Sequence, residues 1–217
     1  MNAAPHNNPD DEPSAAVGDV QGARIRFACV DDAPALLAIY APFIDTPVTF
    51  EEEVPALDEF ATRIADFGSF FPYLVIEESG VPVGYAYAHH QAIRAAYAWN
   101  AELSVYLSPQ AQGRGWGSIL YRTLIELVRL QGIKSVYGLV TSPNEASDRL
   151  HGALGFSQTG IQPHAGFTCG AWHDVTWYCK AIADFDKQPQ PPLPVSCLDQ
   201  CSVRRVIDQA NESLARK

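Results

Sequence analysis

Apolar and polar residues take turns from Arg24 to Val30, the two-residue period of a half-buried strand. Asp31 and Asp32 offer N-cap carboxylates for a helix whose first turn suits Pro34 and whose apolar positions are Leu36, Leu37, Ile39 and Tyr40. A loop with Thr46, Pro47 and Thr49 follows, then a second helix predicted from Pro55 to about Phe67. The runs 73–77 and 82–89, separated by Ser79-Gly80, predict a hairpin. A strand is expected over 97–107, stopped by Ser108-Pro109, and a long helix over 117–130, ending before Gly132. Then come a strand at 135–141, a helix at 144–154 closed by Gly155, and late strands at 156–162 and 175–180. This alternation predicts an α/β domain, and the hairpin makes its sheet mixed rather than purely parallel.

The ends read differently. Residues 1–23 hold four acids (Asp10, Asp11, Glu12, Asp19) and no Lys or Arg, which predicts a flexible arm. KQPQPPLP, from Lys187 to Pro194, favours an extended linker. Beyond it, Val203, Val206, Ile207, Ala210 and Leu214 share one face of a short helix that alone would be marginal. The expected organisation is an arm at 1–23, a folded unit at 24–182, and a Pro-rich linker and tail at 183–217. No internal repeat is visible.

Composition narrows the function classes. The 217 residues are 47% hydrophobic, enough to bury one sizeable core. Fifteen Lys and Arg against 25 Asp and Glu give a net charge of −10, which argues against nucleic acid as a partner. No apolar run approaches the roughly 18 residues of a membrane span. The N-terminus lacks the basic patch and apolar centre of a secretory signal. Five cysteines, none in a Cys-x-x-Cys pair, read as reduced thiols in a cytoplasmic protein. No zinc-ligand spacing occurs, and His164 and His173 lack a third partner, so no metal is expected.

The most informative stretch is PQAQGRGWGSIL, Pro109 to Leu120, lying between a predicted strand and a predicted helix. Helix N-termini present unpaired N–H groups and a partial positive charge. Gly113, Gly115 and Gly117 let a phosphate approach the backbone, and Arg114 and Gln112 can add hydrogen bonds. A tight turn without a ligand fits the same glycines. A dinucleotide site would need Gly-x-Gly-x-x-Gly at the first strand–helix turn, and a Walker loop needs Gly-Lys-Ser/Thr. Neither pattern is present here.

Alternation in the strand before this loop places Asn100, Glu102, Ser104 and Tyr106 on one face and Trp99, Ala101, Leu103, Val105 and Leu107 on the other. A mid-strand carboxylate on a polar face suits a partly buried general base, and equally a salt-bridged edge residue. His151 falls near one helix face with Asn144 and Asp148, as an acid–base group or a structural histidine. Asn144 is by position an N-cap.

Gln112-Gly113-Arg114-Gly115-Trp116-Gly117 resembles the phosphate-loop signature of the GNAT superfamily of N-acetyltransferases. The likeness to phosphinothricin N-acetyltransferases runs on through Ala101-Glu102-x-Ser104-Val105-Tyr106, Pro143-Asn144, Arg149-x-His151-x-Ala153-Leu154-Gly155 and Ala165-Gly166-Phe167-x-x-Gly170-x-Trp172-His173-Asp174. It covers roughly residues 24–182. The resemblance implies the GNAT fold, a mixed sheet of about six or seven strands flanked by helices. It implies acetyl-coenzyme A as cosubstrate, held by residues 112–117, by backbone groups around Ser104, Val105 and Tyr106, and by Asn144. A bulge would be one way to re-aim those backbone groups. It further implies Glu102 as general base and His151 as a second acid–base or orienting group. Phe50, Arg94 and Tyr97 would line the acceptor site, and a homodimer would be the assembly. The acceptors implied are phosphinothricin, a herbicide, and methionine sulfoximine or sulfone. The sequence departs from the relatives at Ala92, where they carry a base two positions before the Arg, and at Thr168-Cys169 and Ala171, where Lys-His and Asn are usual. A protein N-terminus or a polyamine stays open as acceptor, and so does a non-catalytic acyl-coenzyme A sensor, although a degenerate sensor would be expected to lose Glu102.

Overall fold

The computed structural model describes residues 22–216; the arm expected at 1–23 lies almost wholly outside them. Seven strands are β1 (Ala23–Phe27), β2 (Tyr73–Glu78), β3 (Val81–His90), β4 (Asn100–Leu107), β5 (Ser135–Ser142), β6 (Ser157–Thr168) and β7 (Ala171–Ala181). They form one sheet in the order β1-β2-β3-β4-β5-β7-β6. Among the described residues only β4 and β5 pair in parallel; all other neighbours are antiparallel. The mixed α/β architecture agrees with the sequence pattern.

Five helices cover the two faces. α1 (Ala33–Tyr40) and α2 (Leu57–Phe70) pack Leu36, Ile39, Phe60 and Ile64 against Tyr73, Val75 and Tyr85. α3 (Trp116–Gln131) packs Leu120, Leu124 and Val128 against Leu74, Ile76, Ala86 and Leu103 on the opposite face. The side-chain alternation of β2 separates these clusters, sending Tyr73 and Val75 one way and Leu74 and Ile76 the other. α4 (Glu145–Ala153) lies beside β5, and α5 (Gln200–Ala215) closes the chain.

Several boundaries differ from expectation, each for a local reason. Asp32 does not cap α1 with its side chain. Its carboxylate instead accepts the Cys29 N–H at 2.8 Å and both terminal nitrogens of Arg26 at 2.7 and 2.8 Å. The strand expected from residue 97 starts at Asn100, because Ala95–Tyr97 form a 3-10 turn. β6 does not stop at Gln162. Pro163 falls where the β6–β7 register shifts, between Gln162 and Gly166, on an edge strand that tolerates a missing donor.

The segment expected as linker and tail is packed on the domain. Leu198, Val203, Ala210 and Leu214 are buried in the α3-side core. Asn211 Oδ1 accepts the Ile25 N–H at 2.6 Å and its Nδ2 donates to Ile25 O at 3.2 Å, so α5 satisfies the open edge of β1. The Pro-rich stretch is tied down as well: Trp99 Nε1 donates to Gln190 O at 2.9 Å and Gln131 Nε2 to Leu193 O at 2.8 Å.

Candidate active site

β4 and β5 pair only over Asn100–Glu102 and residues 135–137, although β4 runs on to Leu107 and β5 to Ser142. The two parallel strands part just past Glu102, while β5 keeps β7 along its whole length. On the free edge of β4, the Tyr121 hydroxyl donates to Leu103 O at 3.2 Å and Gln112 Nε2 donates to Leu107 O at 3.1 Å. Backbone groups alternate between the two edges of a strand. Val105, between Leu103 and Leu107, therefore turns its N–H toward the opening, while Ser104 and Tyr106 face β3. The β3–β4 register is unbroken from Gly84↔Leu107 to His90↔Ala101, so the opening comes from strand divergence and not from the expected bulge.

Glu102 sits at the apex of this wedge with 21% of its side chain exposed. Burial pushes its pKa up, and nearby His89 draws it part of the way back. His89 stands opposite Glu102 in the β3–β4 register, with Nε2 3.8 Å from Oε1. The same face is aromatic. Tyr106 meets Tyr40, Phe43 and Tyr85 at ring separations of 5.1–5.2 Å, and Phe67 stacks on Tyr87 and His89 at 5.3 and 5.4 Å. The sequence pattern found Glu102 but missed His89 and Tyr87; only the hairpin register would have brought them to it.

The glycine loop lies next to the wedge. Gly113 and Gly115 have φ of +73° and +75°, the left-handed region that glycine enters at little cost. A Cβ on Gly113 would meet nothing within 4 Å, so this backbone is open to a ligand. Gly115 caps α3 without a side chain, leaving the first N–H groups of the helix without a side-chain acceptor. A phosphate is the chemistry that fits such an end. Two residues expected here behave otherwise. Trp116 is 3% exposed and belongs to the core, so only its backbone faces the loop. Arg114 lies over the Trp116 ring at 3.5 Å and pairs with both carboxylate oxygens of Glu78 at 2.9 and 3.1 Å. The Gln112 side chain is engaged with β4, as described. Gly117 lies against Leu107, where a Cβ would come within 3.1 Å of Cδ1.

His151 is 4% exposed on α4. Its Nδ1 lies 2.8 Å from Ser147 O, its Nε2 3.3 Å from the Tyr121 hydroxyl, and its ring stacks on Tyr178 at 4.8 Å. Burial lowers its pKa. Ser147 O takes the Nδ1 hydrogen, so His151 Nε2 and the Leu103 carbonyl of β4, the residue after Glu102, share the one Tyr121 hydroxyl hydrogen between them. Asn144 caps α4 as expected, accepting the Ser147 N–H at 3.1 Å.

The three acceptor-side residues are spread out. Phe50 has a φ of +55°, and its ring covers Gly166 of the β6–β7 hairpin, where a Cβ would lie 2.9 Å from ring atoms. Arg94 and Tyr97 are exposed in the turn before β4, and Arg94 has no ion pair among the described residues. No hydrogen bond or ring contact among the described residues joins these three to Glu102.

Residues 25–177 match the family described as the acetyltransferase (GNAT) domain. The chain is 38% identical over 177 residues to a phosphinothricin N-acetyltransferase of Streptomyces viridochromogenes, a span of 81% of this chain and 94% of the relative. It is 34% identical over 160 residues to an L-methionine sulfoximine/L-methionine sulfone acetyltransferase of Pseudomonas aeruginosa, covering 71% and 92%. The crystal structure of a GNAT superfamily phosphinothricin acetyltransferase from Sinorhizobium meliloti in complex with acetyl-coenzyme A superposes with a TM-score of 0.75 at 30% identity, covering 82% of this chain and 98% of that one.

Proposed function

This chain belongs to the GNAT acetyltransferases, and from that premise we propose that it moves an acetyl group from acetyl-coenzyme A to the amine of an amino-acid analogue. The observation that carries the reading is the wedge between β4 and β5, with a half-buried carboxylate at its apex and a free backbone donor on one wall. The acceptor class, phosphinothricin or methionine sulfoximine and sulfone, follows the names of the relatives.

Each part of the reaction has a residue suited to it. Glu102, its pKa raised by burial, takes the proton that an ammonium must lose before it attacks. The Val105 N–H, turned into the opening, is the donor suited to the charge that builds on the thioester oxygen. The uncapped start of α3 and the bare backbone of Gly113 suit the coenzyme's pyrophosphate. Asn144, the cap of α4 two residues after β5 ends, is the further coenzyme contact that the family resemblance implies. His151, buried and held through Tyr121, orients the wall of the site. Arg94 and Tyr97, with Phe50, take the acceptor's carboxylate and stem. We read the protein as a cytoplasmic homodimer, an assembly that the exposed Phe167 and Trp172 of the β6–β7 hairpin would suit.

The test is release of coenzyme A thiol from acetyl-coenzyme A against a panel of amines. Turnover with methionine sulfone, methionine sulfoximine or phosphinothricin supports the reading. Turnover confined to polyamines or peptide N-termini moves the acceptor to another class, and binding of the coenzyme with no turnover makes the chain a sensor.

A further inference from the structure

We propose that His89 is a positioning residue that receives, through Glu102, the proton taken from the acceptor amine and passes it to solvent. The proposal rests on Glu102 being the base. His89 is the last but one residue of β3, directly opposite Glu102, with Nε2 3.8 Å from Oε1. Its other nitrogen, Nδ1, lies 3.0 Å from His90 O. A carbonyl only accepts, so Nδ1 carries the hydrogen in the neutral ring and Nε2 presents a lone pair. That lone pair faces the carboxylate. Two acceptors face each other there with room for one proton to be shared, directly after a small closure or through one water.

The ring is also held in place. Phe67 stacks on it at 5.4 Å with an interplanar angle of 27°, and Tyr87 lies at 6.0 Å. The other ionisable neighbours of Glu102 cannot do this work. Tyr87 from β3, Tyr121 from α3 and Tyr137 from β5 all have hydroxyls raised above their ordinary range, chiefly by burial, and so stay neutral. Arg63, beyond Tyr87, is committed to Glu51 and Glu59 at 2.7 and 2.6 Å. His89, by contrast, faces Glu102 with a ring nitrogen and leaves 27% of its side chain exposed to solvent.

The proton balance closes. The acceptor's ammonium loses a proton to the Glu102 carboxylate, which becomes a carboxylic acid. That acid gives the proton to His89 Nε2, restoring the carboxylate and forming an imidazolium. The imidazolium releases a proton to water at its exposed edge and returns to the starting tautomer. Without His89 the protonated Glu102, enclosed by tyrosines, has to discharge by a slower route.

The experiment compares kcat and both KM values at pH 7 for His89→Gln, His89→Phe, His89→Ala, Glu102→Gln and the double variant Glu102→Gln/His89→Gln. His89→Phe keeps the stack on Phe67 without a nitrogen, so a folding defect is separable from a proton defect. We expect His89→Gln and His89→Phe to lose about tenfold in kcat with an unchanged acetyl-coenzyme A KM. His89→Ala should regain rate as imidazole is added, and the double variant should be no slower than Glu102→Gln alone. Wild-type kcat in His89→Phe and His89→Gln, or a loss that imidazole does not relieve, overturns the relay while leaving Glu102 intact. Wild-type kcat in Glu102→Gln removes the base itself, a distinct result that takes the relay with it.

Discussion

Gly138 of β5 lies directly under the imidazole of His151, so close that any side chain at position 138 would run into the ring. The glycine is therefore part of the histidine's seat. Gly138→Ala should displace His151 from Tyr121 and lower stability by about 1–3 kcal/mol, the usual cost of overpacking. A denaturation midpoint equal to wild type would show that the seat is soft.

The same histidine sets a pH dependence. Its folded pKa lies below the ordinary value of 6.5, so the unfolded chain binds its proton first as pH falls. The His151 contribution is therefore fully present above about pH 6.5 and is lost progressively below it. Unfolding free energies measured between pH 7.5 and 5.5 should decline more steeply in wild type than in His151→Gln. Parallel curves would contradict the assignment.

α5 should matter for the whole domain. Leu214 is 4% exposed and packs in the α3-side core, so Leu214→Ala should cost about 2–4 kcal/mol. Ending the chain at residue 187 should cost more, because it also strips Asn211 from the β1 edge. Equal melting temperatures for full-length and shortened chains would show that the helix adds nothing.

The extent to which this was legible follows from which interactions are local. The body of the strand carrying Glu102, the glycine turn and the Asn144 cap are legible because alternation, positive-φ glycines and N-caps act within a few residues, although the strand starts at Asn100 and not at residue 97. The wedge is not, because it arises where two strands distant in sequence stop pairing. The place of Arg114 beside glycines points to a ligand, yet Glu78, 36 positions away, holds its guanidinium. α5 reads as marginal in the sequence because Asn211 finds its partner, Ile25, 186 positions earlier. His89 carried no motif, and only its register opposite Glu102 gives it meaning.

Arg94 should govern acceptor binding. It is exposed and free of carboxylate partners among the described residues, and position 92 is an alanine. With no second cation at position 92, phosphinothricin, which carries a phosphinate as well as a carboxylate, gains less than it would from two, so methionine sulfone or sulfoximine should be used at least as efficiently as phosphinothricin. Arg94→Ala should raise the acceptor KM with little change in the acetyl-coenzyme A KM. A strong preference for phosphinothricin, or an unaltered acceptor KM in Arg94→Ala, would contradict this.

The central claim is that the carboxylate at the apex of the β4–β5 wedge removes the acceptor's proton. Glu102→Gln keeps the shape of the side chain and takes away its basicity. The most direct measurement is single-turnover acetyl transfer by Glu102→Gln at pH 7, with the acetyl-coenzyme A Kd determined alongside. The account predicts a rate about 100- to 10,000-fold below wild type with an unchanged Kd. A rate within about threefold of wild type, far short of a general base's usual share, would contradict it.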